Sequence, residues 1–281
     1  MKIVLTVNKQ KDAEFVLANK IISLIGTQAD VYIDDAFYDE KLKNVIFAPK
    51  ESLYDGADFI LVLGGDGTIL SVARVAAEKD IPVLGINLGR LGFLAEIEQN
   101  ALEEGLKSLF SGAFVIEERM MIEADLGDGK PSKALNDIVI TRANVSLRIL
   151  ELDVSIDEEY LDDFKADGII IATPTGSTAY SLSAGGPIVD PALPCMTITP
   201  ICPHKMYSRT IIIPPTKTVT VTCKSSSGNE AVVAADSEIL GTLSEDESVT
   251  VKLSSNKLKL IRLNGDCFYG ALRRKLMKKE S

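Results

Sequence analysis

The sequence predicts an α/β N-terminal domain followed by an all-β second domain. Two observations carry that prediction. Continuous apolar runs alternate with amphipathic stretches over roughly the first 117 residues. From Glu117-Glu118-Arg119 onward, short apolar runs are separated by Gly, Asn, Asp and Pro clusters. The expected boundary therefore lies near residue 117.

In chain order, Lys2 to Val7 reads as a buried first strand, and Asp12 to Ile25, with apolar residues at Phe15, Val16, Ile21, Ile22 and Ile25, as an amphipathic helix. Gly26 ends that helix, and Val31 to Ile33 is a short second strand. Phe59 to Leu63 is apolar at every position, as in a parallel strand buried on both faces. Ile69 to Lys79 follows as a helix, then Pro82 to Ile86 as a strand. In the second half, strands are expected at Asp137 to Thr141, Ile149 to Ile156, Gly168 to Ala172, Thr210 to Ile213, Thr218 to Cys223, Ala231 to Ala234 and Ser248 to Leu253. Phe268 to Ser281 reads as a terminal helix with a solvated basic face.

Composition narrows the function classes. The 281 residues are 46% hydrophobic and 25% charged, which suits a globular chain with a sizeable core. A formal net charge of −10 argues against a nucleic-acid binder that neutralises phosphates along a backbone. It leaves room for a small phosphorylated ligand held by backbone N–H groups and a few placed cations. The four cysteines form no C-x-x-C pair and His204 is the only histidine, so they read as reduced core thiols rather than a zinc set. The N-terminal apolar run is too short for a signal or a membrane span, and the expected location is cytoplasmic.

Two loops carry the chemistry. Gly64-Gly65-Asp66-Gly67-Thr68 joins the buried strand to the next helix. Open α/β sheets bind ligands at that edge. Glycines allow close backbone approach, and the helix start offers free N–H groups and partial positive charge to phosphate. A plain turn capped by Asp66 or Thr68 would not need three glycines. Neither a G-x-x-x-x-G-K-[ST] loop nor a G-x-G-x-x-G turn is present. A further glycine-spaced turn, Gly85 to Gly92, is either a plain loop or part of the same cleft.

The second loop runs from Thr173 to Pro187 behind the apolar strand Ile169 to Ala172. It is dense in hydroxyls and turns suited to ribose, amide and phosphate groups, and Tyr180 is suited to stacking on a base. Lys165 and Asp167 flank the strand, and Asn136-Asp137 opens another.

Together these stretches resemble the NAD kinase family over nearly the full chain, which implies an α/β domain at 1–117 completed by a C-terminal segment, about 255–281, packing back on it, and a β-sandwich-like NAD-binding domain at 118–254. Leu61 to Thr68 is similar to the family's first signature, Asn136 to Ile140 to its second, and Asp167 to Pro187 to its third. Thr199 to His204 with Arg209, and Ala235-Asp236-Ser237, resemble later motifs. The first signature alone is shared with lipid kinases and resembles 6-phosphofructokinases. A lipid or diacylglycerol kinase and a non-catalytic dinucleotide-binding regulator are the rival readings; the second motif set and the lack of an amphipathic membrane stretch count against the first, and retention of Asp66 against the second.

The resemblance implies transfer of the γ-phosphate of ATP to the 2′-hydroxyl of the adenosine ribose of NAD, giving NADP. It implies a divalent metal, normally magnesium, carried by the nucleotide, and a homodimer or homotetramer with no nucleic-acid or membrane partner. Asp66 would be the catalytic carboxylate, as base or as metal ligand. Gly64, Gly65, Gly67 and Thr68 would form the phosphate loop. Gly67, Asn136, Asp137, Arg148, Lys165, Asp167, Thr178, Ala179, Tyr180, Ser181, Ser183 and Glu238 would contact NAD along with Asp66. Asp137 stands where glutamate is common, Lys165 where arginine is common and Glu238 where glutamine is common. These departures bear on substrate preference rather than on the reaction.

Overall fold

The structure, a computed structural model, describes residues 1–89, 92–143, 149–224, 230–263 and 268–276. The chain divides into two compact units, Met1–Glu118 with Leu258–Ser281, and Arg119–Lys257.

The first unit is α/β. Its elements are β1 (Lys2–Val7), α1 (Val16–Ile25), β2 (Asp30–Asp34), β3 (Ile46–Ala48), α2 (Lys50–Leu53), β4 (Phe59–Gly64), α3 (Asp66–Glu78), β5 (Val83–Asn87), β6 (Ile97–Glu98) and α4 (Leu102–Ser111). The strands pair in parallel in the order β5-β4-β1-β2-β3. Parallel strands covered on both faces need apolar residues at successive positions. β4 and β5 meet that need: five of the six residues of β4 and all five of β5 are buried. α1 and α4 contribute Ile21, Ile25, Leu102, Leu106 and Leu109 to the core on the sheet.

α1 begins at Val16, four residues after the expected start. The Asp12 carboxylate accepts hydrogen bonds from the backbone N–H groups of Leu17 and Ala18, at 3.2 and 2.9 Å. Asp12 thus caps the first turn from outside rather than joining the helix. α3 begins at Asp66, three residues before the expected Ile69, because Gly65 is the N-cap and the Thr68 hydroxyl accepts the Gly65 N–H at 3.4 Å.

The second unit contains β7 (Val115–Asp125), which enters it from the first, then β8 (Ser132–Ala134), β9 (Asp137–Arg142), β10 (Leu150–Ile156), β11 (Glu159–Ala166), β12 (Gly168–Ala172), α5 (Tyr180–Ser183), β13 (Met196–Ile201), β14 (Ile211–Ile213), β15 (Val219–Cys223), β16 (Ala231–Ala235) and β17 (Glu238–Leu243). β18 (Ser248–Arg262) carries the chain out of it, and α6 (Phe268–Leu276) follows in the first unit. One antiparallel sheet has the order β14-β13-β12-β9-β16-β17; β11, β10, β15 and β18 pair in a second. Ile138, Ile140, Ile169, Ile171 and Ile198 of the first sheet share one core with Leu150, Leu152, Val219, Val221 and Val249 of the second. This is a β-sandwich arrangement.

The other face of β12 is also buried: Ile170 and Ala172 pack with Val139, Ile201 and Ala184. Its continuous apolar run has that cause. β18 runs past the expected Leu253 to Arg262: the Ser254 side chain is buried with its hydroxyl accepting the Asn256 N–H at 3.3 Å, and Ser255 and Asn256 fall on outward or half-covered positions of a long strand. Cys195 and Cys223 are buried, but Cys202 is exposed, which corrects the reading of it as a core thiol. Cys267 lies outside the described residues.

Candidate active site

In the first unit, the chain turns sharply from β4 into α3, and the three glycines of the turn do different things. A Cβ on Gly64 would stand 2.2 Å from the Thr68 hydroxyl oxygen, so that glycine makes room for Thr68. Gly65 is the N-cap. A Cβ on Gly67 would meet nothing within 4 Å. Among the described residues nothing requires glycine there, and its bare backbone faces a cavity of about 780 Å³. Asn8, Lys11, Asp66, Gly89 and Lys275 also line this cavity. The turn after β5 therefore does share the cleft, through Gly89 and Gly92. The Asn87 side chain folds that turn by pairing with Gly89 through two 3.0 Å hydrogen bonds.

Asp66 is the first residue of α3. Its carboxylate accepts the backbone N–H of Phe93 at 2.9 Å and of Leu94 at 3.1 Å. The carbonyls of the same two residues accept from the Arg262 guanidinium, at 3.4 Å for Phe93 and 3.1 Å for Leu94. Arg262 is itself buried and paired with buried Glu96 at 3.2 Å. The acid is thus held by a segment braced from behind. Each carboxylate oxygen retains a lone pair for a ligand proton or cation. A Cβ on Gly92 would stand 1.8 Å from an Asp66 oxygen, so glycine at 92 is a condition for this placement. The Lys275 ammonium lies 3.7 Å from the Asp66 carboxylate and 4.2 Å from the centre of the Phe93 ring.

In the second unit, Asn136 and Asp137 open β9 beside the Thr173 loop. Asn136 O accepts the Thr173 N–H at 2.9 Å, and a Cβ on Gly176 would stand 2.0 Å from that same oxygen. The Asp236 carboxylate, in a positive-φ turn between β16 and β17, accepts the N–H groups of Leu135, Asn136 and Asp137 at 2.6, 2.7 and 3.2 Å. Asp137 is only 5% exposed. Burial pushes its carboxyl up to about 7, and the nearby Asp236 charge adds to that.

The remaining candidates divide by placement. Thr178 and Ala179 are half-buried and Tyr180 and Ser183 exposed. Ser181 is fully buried, with its hydroxyl 3.1 Å from that of Thr199. Asp167 pairs with Arg142 at 3.3 Å, and Lys165 with Glu151 at 2.9 Å. That ion pair holds the Lys165 ammonium above its ordinary pKa. Glu238 is exposed at the start of β17. Arg148 lies outside the described residues. Sequence reasoning missed Lys11, Arg262 and Lys275, and it read the last as part of a solvated face. Only the Ala235-Asp236-Ser237 motif hinted at the part played by Asp236.

Residues 4–114 match the ATP-NAD kinase N-terminal domain family, and residues 135–263 match the ATP-NAD kinase C-terminal domain family. The chain belongs to the NAD kinase family. It is 39% identical over 269 residues to the NAD kinase of Caldicellulosiruptor saccharolyticus, covering 96% of each chain. It is 46% identical over 225 residues to that of Moorella thermoacetica, covering 78% of this chain and 71% of the relative. The crystal structure of yeast NADH kinase complexed with NADH superposes on it with a TM-score of 0.88 at 25% identity, covering all of this chain and 89% of the yeast one. No helix among the described residues is long and apolar enough to cross a membrane.

Proposed function

We propose that this chain is an ATP-dependent NAD kinase in which Asp66 takes the proton of the acceptor hydroxyl. The 2′-oxygen of the adenosine ribose of NAD bonds to the γ-phosphorus of ATP. The bridging phosphorus–oxygen bond breaks, ADP leaves with its electrons, and the hydroxyl proton passes to the Asp66 carboxylate. Phosphoryl transfer runs through a loose transition state, so a weak base that accepts late is sufficient and positioning supplies most of the rate. The observation that carries this reading is the Asp66 carboxylate, fixed by two backbone N–H groups on the wall of a glycine-lined cavity.

The donor set fits a divalent ion carried by phosphates. No cluster of three His, Cys, Asp or Glu side chains suited to a metal occurs among the described residues, and Asp66 is the one described acid on the cavity wall. Mg²⁺ commonly uses one carboxylate together with phosphates and water, so Asp66 would hold it in the alternative role, as metal ligand rather than base. Such an ion neutralises charge on the donor phosphates.

Asn136, Asp137, Lys165, Asp167, Thr178, Ala179, Tyr180, Ser183 and Glu238 are proposed as contacts to NAD, and the family reading adds Arg148, which lies outside the described residues. Ser181 serves the site by fixing α5 through Thr199. The family reading also carries a cytoplasmic location and a homodimeric or homotetrameric assembly.

The test is NADP formation from ATP and NAD, with diacylglycerol as control acceptor. Phosphorylation of the lipid with NAD untouched would sink the reading. Asp66→Asn removes the base but also places an amide N–H against one of two backbone N–H donors. Asp66→Ala, which leaves both N–H groups to water, is the companion variant. Both should lose turnover and keep NAD affinity; near-normal turnover in either would remove Asp66 from the chemistry.

A further inference from the structure

The cavity beside Asp66 carries two amines that the signatures do not account for. Lys11 follows β1, and its Nζ lies 3.3 Å from where a Cβ on Gly65 would stand and 3.4 Å from the equivalent point at Gly89. Lys275 comes from the last turn of α6. That helix is anchored by buried Phe268 and Ala271, with the Phe268 ring 5.9 Å from that of Phe93. The Lys275 ammonium sits over the Phe93 ring, whose backbone N–H holds Asp66. At 3.7 Å from Asp66 it is within ion-pair range but beyond an ordinary hydrogen bond, so Asp66 leaves its N–H donors available to a ligand.

Resting on the kinase reading, we propose that Lys11 and Lys275 form a two-lysine clamp on the phosphate chain of the donor, with Lys275 on the phosphoryl group in transfer. A carboxylate on the wall of a site for a polyphosphate repels its own substrate unless cations stand beside it. Lys275 supplies one next to the acid, and Lys11 supplies another over the glycine turn. Bare backbone at Gly65, Gly67 and Gly89 admits the phosphates between them. Lys275 remains an ammonium throughout. It forms and breaks no covalent bond, and it donates N–H hydrogen bonds to the non-bridging oxygens while the 2′-oxygen–phosphorus bond replaces the bridging one.

The variants are Lys275→Met, which keeps the stem on Phe93, Lys275→Arg, which restores the charge, and Lys11→Met. Lys275→Met should lower kcat about 100-fold, the scale of a lost transition-state donor. The KM for NAD should hold, and Lys275→Arg should recover part of the rate. Lys11→Met should raise the KM for ATP about tenfold, the scale of one charge-assisted hydrogen bond, with kcat held.

A second measurement needs no variant. Lysine acetylation of the native enzyme, read by mass spectrometry, should slow at Lys11 and Lys275 with inorganic triphosphate or ATP and not with adenosine. Lys107, paired on an exposed helix face, is the control. No protection by triphosphate, equal protection by adenosine, or kcat and KM(ATP) within twofold of wild type in both methionine variants would overturn the clamp. Absence of NADP formation by the native enzyme would instead overturn the kinase reading, and the triphosphate footprint reports on the clamp either way.

Discussion

Replacing Asp137 by asparagine should flatten the pH dependence of stability. In the folded chain burial and the Asp236 charge raise the Asp137 carboxyl to about 7; in the unfolded chain an aspartate titrates near 3.9. Between those values the folded state binds the extra proton. Stability from this group is therefore complete below about pH 4, falls as pH rises, and levels off above about pH 7. The full span is about three pK units, or roughly 4 kcal/mol. Between about pH 5 and pH 8 the loss is roughly 2.5 kcal/mol.

Asparagine is nearly isosteric and does not titrate, so the difference in unfolding free energy between variant and wild type should move in the variant's favour by that amount across the interval. Urea unfolding followed by circular dichroism at several pH values measures it, and taking the difference cancels the titrating groups that do not interact with Asp137. A difference constant to within about 0.5 kcal/mol, a typical extrapolation error for such curves, would mean that Asp137 is solvated and ionised in the folded chain. The burial argument would then fail.

Three further substitutions separate packing from chemistry. Gly67→Ala meets no atom and sits within the first turn of α3. It should leave the melting temperature unchanged or higher, by up to about 1 kcal/mol of helix propensity, while KM for ATP or NAD rises. Gly92→Ala puts a methyl group 1.8 Å from an Asp66 oxygen; turnover should fall much further than stability, and a variant with native kcat would show that Asp66 need not stay where Phe93 and Leu94 hold it. Asp236→Ala strips the acceptor from three backbone N–H groups. It should cost about 2–4 kcal/mol in thermal unfolding and weaken NAD binding through the displaced Asn136 turn, so unchanged melting would refute that brace.

Local pattern was sufficient for much of this. Strands buried on both faces announce themselves as apolar runs, so parallel β4 and antiparallel β12 are both legible, from Phe59 to Leu63 and from Ile169 to Ala172. The glycine-aspartate turn was legible because it breaks such a run where a sheet presents ligands. The start of α1 was misplaced because Asp12 reads as a helical residue until its carboxylate is seen capping Leu17 and Ala18. β18 was cut short because serine and asparagine signal turns, a preference that the outward positions of a long strand override.

The sequence by itself determined the fold class, the family and the loops that carry the acids and glycines, because these are properties of neighbouring residues. Tertiary structure decided what each of those residues does. It set Asp66 on the N–H groups of Phe93 and Leu94, 27 and 28 residues away, and Asn136 on Asp236, 100 away. It assigned Gly64 to packing and left Gly67 bare, and it gave Lys275, exposed as its basic face predicts, a place on the wall of the cavity. No periodicity encodes such pairings, because they arise only when the sheet and helix α6 bring distant backbone and side chains within hydrogen-bonding or ion-pairing distance.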